Sequence, residues 1–96
     1  MLRNYRTVAR RIKEIVRRMD PEAEVYVFGS VVRGKYTSAS DIDIMIVTER
    51  ASDIKYDIMV EIYRRVDAPV EIHVVTRDQL ERWYRRFIPQ GEMEKV

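Results

Sequence analysis

The chain is 96 residues long, 46% hydrophobic and 35% charged, with three glycines, three prolines, no cysteine and a formal net charge of +2. Those proportions exclude a disordered or fibrous chain, a disulfide framework and a thiolate metal site, and they suit one domain over 1–96 whose core buries roughly 65% of the surface an unfolded chain exposes. No apolar run approaches the ~20 residues that span a bilayer, and Arg3, Arg6, Arg10 and Arg11 stand where a signal peptide needs an apolar stretch, so a cytoplasmic protein without membrane contact is expected.

Leu2, Tyr5, Val8, Ala9, Ile12, Ile15, Val16 and Met19 recur at steps of three and four, which predicts a helix over 2–19 stopped by Asp20-Pro21. Seven basic side chains against one acidic, Glu14, within residues 1–18 read as a solvated helix face in preference to a nucleic-acid surface. From Glu24 the period changes: Val25, Tyr26, Val27 and Phe28 form a β-branched and aromatic run, a buried strand stopped by Gly29. Ser30 to Ser40 is a loop with one helical turn over Val31 to Gly34, and Asp41 to Val47 alternates as a second strand. Ser52 is placed to cap a helix through Ile54, Ile58, Met59, Ile62, Tyr63 and Val66, which Ala68-Pro69 ends. Val70 to Val75 is a third strand, and Thr76-Arg77-Asp78-Gln79 matches a capping box opening a last helix through Leu80, Trp83, Tyr84, Phe87 and Ile88. Gly91 to Val96 reads as a frayed tail. The order implies an α+β fold, a three-stranded mixed sheet covered by helices, with strands two and three parallel across the helical crossover and strand one antiparallel.

Asp41 and Asp43 stand two apart in a strand, so their side chains leave one face, with backbone positions about 6.6 Å apart. A carboxylate between Ile42 and Ile44 is costly to desolvate without a counter-charge, and a divalent cation is the natural compensation. In the third strand Glu71, His73 and Val75 share a face. The proposed topology gathers Asp41, Asp43 and Glu71 at one end of the sheet, where strand one delivers Gly29 and Ser30. There Gly29 lets backbone approach a phosphate, Ser30 offers a hydroxyl and an N–H, and Arg33 either neutralises phosphate charge or pairs with the acids, whereas Lys35, a second candidate for the phosphate, reads rather as a surface residue. Oxygen-only acidic ligands suit Mg²⁺ or Mn²⁺, as two ions about 3.5–4 Å apart. Glu71 alone reads as an edge-strand charge almost as readily as a ligand, and His73, a lone strand histidine, is left outside the metal set. Trp83, Tyr84, Phe87 and Ile88 are more than one covering stripe needs, which leaves some for a partner.

Gly29-Ser30, ten intervening residues, then Asp41-Ile42-Asp43, in the setting GSVVRGKYTSASDIDIMIV, closely resembles the motif of the polymerase-beta-like nucleotidyltransferase superfamily, whose minimal nucleotidyltransferases are small stand-alone domains. The resemblance implies the polymerase-beta-like fold, Gly29 and Ser30 holding the triphosphate, and Asp41, Asp43 and Glu71 as the catalytic metal ligands. Glu71 fills a position commonly held by Asp in that superfamily. The activity implied is metal-dependent transfer of a nucleoside monophosphate, AMP from ATP by first choice, onto a hydroxyl. The resemblance further points to a tyrosine of a partner HEPN toxin as acceptor, which makes this chain the antitoxin. An antibiotic-type small-molecule acceptor and a non-catalytic module that masks a partner are the alternatives. Oligomeric state stays open, a homo-oligomer included. Heavy use of Arg, Lys, Glu and Asp beside one Asn and two Gln leans toward a thermophilic source.

Overall fold

Helix α1 (Tyr5–Met19) turns Tyr5, Ala9, Ile12, Ile15 and Val16 inward, so the helical period in the sequence is the period of burial. The computed structural model describes residues 5–29, 31, 32, 34 and 41–96; Leu2, expected at the start of this helix, lies outside them. Strands β1 (Glu24–Phe28) and β2 (Ile42–Val47) follow, then α2 (Ala51–Arg65), β3 (Val70–Val75), the short α3 (Arg77–Gln79) and a late strand, β4 (Met93–Lys95). The sheet order is β3-β2-β1-β4. As expected for an α+β fold with a mixed sheet, β2 runs parallel to β3 across the α2 crossover and antiparallel to β1.

Alternation along the strands makes two cores. Ile42, Ile44, Ile46, Val70, Ile72 and Val74 face α1 and α2, meeting Ile12, Val16, Ile54, Ile58 and Ile62. Met45, Val47 and Val75 face the opposite way onto Leu80, with Tyr26, Phe28, Tyr84, Ile88 and Met93 packed around them. Central strand β2 is covered on both sides, which is why it reads as a nearly continuous apolar run.

The sheet has four strands where three were expected, and residues 91–96 are no frayed tail. A short 3₁₀ turn (Gln90–Glu92) leads into β4, which pairs with β1 and sets Met93 opposite Phe28. Without it the outer edge of β1 would present unpaired backbone. Beyond the strand, Val96 N–H donates to the Val25 carbonyl at 2.9 Å and its own carbonyl accepts from Lys13 Nζ at 2.9 Å. Glu94 accepts two hydrogen bonds from Arg6, at 3.0 and 3.1 Å.

Two helices also differ from expectation. Helix α2 starts at Ala51 with Arg50 at its cap position and no side-chain capping bond. Ser52 therefore lies inside the first turn, because the tight turn at Thr48 (Ala51 N–H to Thr48 carbonyl, 3.2 Å) begins the helix earlier. Tyr63 is exposed, while Ala51, Ile54, Ile58 and Ile62 are the buried positions of α2. The capping box at Thr76 and Gln79 forms as expected. Its helix, however, passes after three residues into a π-helical turn, Leu80–Tyr84, with Arg85 N–H donating to the Leu80 carbonyl at 3.0 Å. The wider turn sends Leu80, Tyr84 and Ile88 to the sheet and leaves Trp83 and Phe87 58% and 81% exposed.

At the C-terminal end of β2 the turns α1–β1 and β2–α2 are tied together by two buried polar residues, Asp20 and Thr48. The Thr48 hydroxyl donates to Asp20 Oδ2 at 2.5 Å, and the Glu22 N–H donates to Asp20 Oδ1 at 3.0 Å. Thr48 Oγ1 in turn accepts from Arg50 N–H at 3.1 Å. The Thr48 hydroxyl is the chief reason that the Asp20 carboxyl titrates below its ordinary range. A carboxyl lowered in the fold adds stability above the ordinary aspartate range, and that stability is lost as pH falls through the lowered value. Thr48→Val leaves Asp20 short of a partner and should cost about 1–3 kcal/mol at neutral pH. Urea denaturation at neutral pH and near pH 3 checks it: the variant's deficit should shrink at the acid end.

Candidate active site

The acids converge because three strand ends meet. β1 finishes at Phe28 where β2 begins, and in register Phe28 lies opposite Asp43. Asp43 lies beside Glu71 across the parallel β2–β3 ladder, and Met45 beside His73. Asp43, Glu71 and His73 thus occupy one face of the sheet, opposite the face that α1 and α2 cover. One donor atom from each of the three lies within 4.8 Å of the other two.

Asp43 is only partly exposed. Burial, first, and the neighbouring charge of Glu71, second, push its carboxyl above the usual aspartate range; His73 opposes the shift and Asp41 adds to it. Glu71 is exposed, and its Oε1 stands 3.3 Å from His73 Nε2. The imidazole is held by two rings: Phe28 of β1, tilted at 5.5 Å between centroids, and Tyr84 of the π-helical turn, edge-on at 5.8 Å.

Gly29 closes β1 at φ +86°, and a Cβ built there would fall 2.5 Å from Asp43 Oδ2. The glycine is needed twice over, for the left-handed backbone and for the close passage of the Asp43 carboxylate. Val32 N–H then donates to the Gly29 carbonyl at 3.1 Å and Gly34 N–H to the Val31 carbonyl at 3.2 Å, turning the chain where one helical turn was expected. Of the expected site residues, the structure brings together Asp43, Glu71 and Gly29. Asp41 is exposed just ahead of β2, outside the three-donor group, and reaches Asp43 through its charge. Ser30 and Arg33 lie outside the described residues. His73 and its ring neighbours Phe28 and Tyr84 were missed as site residues; the one sequence signal was that His73 follows Glu71 by two in a strand.

Two carboxylates and an imidazole, with one carboxylate held above its usual range by burial and by its neighbour's charge, fit a divalent cation. A groove of about 490 Å³ between α1 and α2, lined by Ile15, Arg18, Asp57 and Val60 among others, lies across the sheet and takes no part in this site.

The nucleotidyltransferase domain profile matches residues 9–96. The chain belongs to the nucleotidyltransferase family. Among solved structures, this nucleotidyltransferase resembles a crystal structure provisionally described as a nucleotidyltransferase, with 31% identity over 91% of this chain and 95% of that one and a TM-score of 0.66. It also resembles one given the same provisional description from Sulfolobus solfataricus, with 30% identity over 94% of this chain and 75% of that one and a TM-score of 0.62. No curated protein matches. No helix among the described residues is long and apolar enough to cross a membrane.

Two outcomes test this geometry. Gly29→Ala should lower stability by about 1 kcal/mol or more from the positive φ alone, and the clash should move the Asp43 carboxylate; thermal melts and a crystal structure of the variant read both. Asp43→Asn should raise the melting midpoint of the metal-stripped protein at neutral pH. A carboxyl raised in the fold costs nothing below the ordinary aspartate range and costs more as pH climbs from there to the raised value. The advantage of Asn over Asp should therefore vanish toward pH 3, and melts across that window in EDTA measure it.

Proposed function

We propose that this nucleotidyltransferase transfers AMP from ATP to a tyrosine hydroxyl of a HEPN-type partner protein, and so acts as the antitoxin of a toxin–antitoxin pair in the cytoplasm. The observation that carries the transfer chemistry is the meeting of Asp43, Glu71 and His73 beside the positive-φ Gly29 at one end of the sheet. With no Cβ at Gly29, a phosphate can approach the backbone closely. Asp43 and Glu71 would supply the negative charge that holds divalent cations, Mg²⁺ or Mn²⁺, as a pair, with Asp41 adding charge from the strand entrance. Bound there, such ions offset the charge of the triphosphate and ease deprotonation of the acceptor hydroxyl. In the transfer, the acceptor oxygen bonds to the α-phosphorus as the bond to pyrophosphate breaks, and the hydroxyl proton passes to water. Ser30 is assigned to the triphosphate on the motif, and Arg33 on its charge.

A protein acceptor is favoured by Trp83 and Phe87. Both are large and exposed, and both flank Tyr84, whose ring borders His73. Aromatic side chains of this kind are the usual anchors of a docked partner. The HEPN identity of that partner rests on the family resemblance.

The test is incubation of the chain with α-labelled ATP, Mg²⁺ or Mn²⁺ and a HEPN-type partner. Label should attach covalently to a partner tyrosine, and Asp43→Asn should cut transfer at least about 100-fold, roughly 2.7 kcal/mol of transition-state stabilisation. A tight complex without label would replace this reading with the masking module; label on a free small molecule alone would replace the acceptor.

A further inference from the structure

His73 has no part in the family motif found in the sequence, yet its ring is packed against two others. Phe28 and Tyr84 contact it from two different elements, and only a quarter of its side chain is exposed. One ring nitrogen, Nε2, stands 3.3 Å from Glu71 Oε1. Two donors each about 2.1 Å from one octahedral ion stand about 3 Å apart when they are neighbours in its shell. The Glu71–His73 spacing is close to that value, and the widest separation in the group with Asp43 is at most 4.8 Å. A merely space-filling role between two rings would be met by Phe or Leu, and would require neither a nitrogen turned to a carboxylate nor a second carboxylate within 4.8 Å.

We propose that His73 is a protein ligand of the metal site, and that its nitrogen makes this a mixed nitrogen and oxygen site which selects Mn²⁺ over Mg²⁺. Asp43 and Glu71 supply one oxygen ligand each. Magnesium is a hard cation that favours oxygen and keeps its waters, so an imidazole adds little to its binding. First-row transition ions gain from imidazole, and manganese is the member of that series that also suits carboxylate and phosphate oxygens. Phe28 and Tyr84 act as positioning residues: they hold the ring with Nε2 toward the acids, so its orientation does not have to be set when the ion arrives. The π-helical turn contributes by setting Tyr84 against the sheet face that carries His73. This inference rests on the metal-dependent reading of the same site, but not on the identity of the acceptor.

The experiment uses the full chain, stripped with EDTA and titrated separately with MnCl₂ and MgCl₂, by calorimetry and by thermal midpoint. Mn²⁺ should bind at least about tenfold tighter than Mg²⁺, and electron spin-echo spectra of the Mn²⁺-loaded protein should show coupling to a nitrogen nucleus. His73→Phe keeps a ring between Phe28 and Tyr84 and removes the donor. It should weaken Mn²⁺ binding at least about tenfold, shift Mg²⁺ binding by less than about threefold, and abolish the nitrogen coupling. Its midpoint in EDTA reports whether it folds, and His73→Gln replaces it if it does not. An unchanged Mn²⁺ to Mg²⁺ preference in the variant, or no nitrogen coupling in the parent protein, overturns the proposal. Nitrogen coupling without label transfer would sink nucleotidyl transfer to a protein and leave His73 as a ligand. Transfer without nitrogen coupling would do the reverse.

Discussion

A carboxylate set into the central strand of a sheet, with a second carboxylate across the ladder, is the constraint on which this molecule turns. Asp43 stands between Ile42 and Ile44, both buried, and its neighbour in register on β3 is Glu71. Burial and like charge both oppose ionisation there, and the only opposing influence among the described neighbours is His73. A fold selected for stability alone would put an apolar residue at such a position. The local disagreement between residue type and environment is what marks the site, since conflicts of this kind gather where a protein binds or reacts.

The topology exists, in effect, to crowd that position. A parallel β2–β3 pair puts the starts of both strands at one end, and an antiparallel β1 brings its finish to the same end. Gly29 follows at once, and its missing Cβ leaves space for the Asp43 carboxylate. The other end of the sheet is built differently. There Asp20 and Thr48 are buried with their hydrogen bonds met, and Glu24 gathers the Tyr26 hydroxyl, Arg77 and Lys95. Charges at that end are paired and hold elements together, whereas among the described residues Asp43 meets the like charges of Glu71 and Asp41 with only His73 opposing them.

The second core also has a division of labour. Leu80, Val47, Val75 and Met45 form its buried part, and Phe28 and Tyr84 carry it to the edge of the acids, where they hold the imidazole. Packing and chemistry therefore share side chains, so a change in either ring reaches the donor set without touching a ligand.

Much of this was legible in the chain. The three-and-four spacing from Tyr5 to Met19, the alternation in β2 and β3 and the capping box at Thr76 each follow from the geometry of a single element, which local sequence determines. The pairing of Gly29 with Asp43 was legible for a related reason: a glycine ending one strand and an acid opening the next are both out of place unless they serve one site. Four matters were left to tertiary structure. β4 is three residues, Met93–Lys95, too short for a period to show, and it is a strand only because β1 offers an edge. The π-helical turn depends on Leu80, Tyr84 and Ile88 all finding the same core, which no local preference specifies. Asp41 stands exposed just ahead of β2, which begins at Ile42, and outside the donor group, a placement that spacing alone does not show. His73 joins the acids through the register of β3 on β2 and through two rings distant in sequence. Composition and spacing determine which side chains share a face, but only the packed fold decides which of them come within a bond length or two of one another.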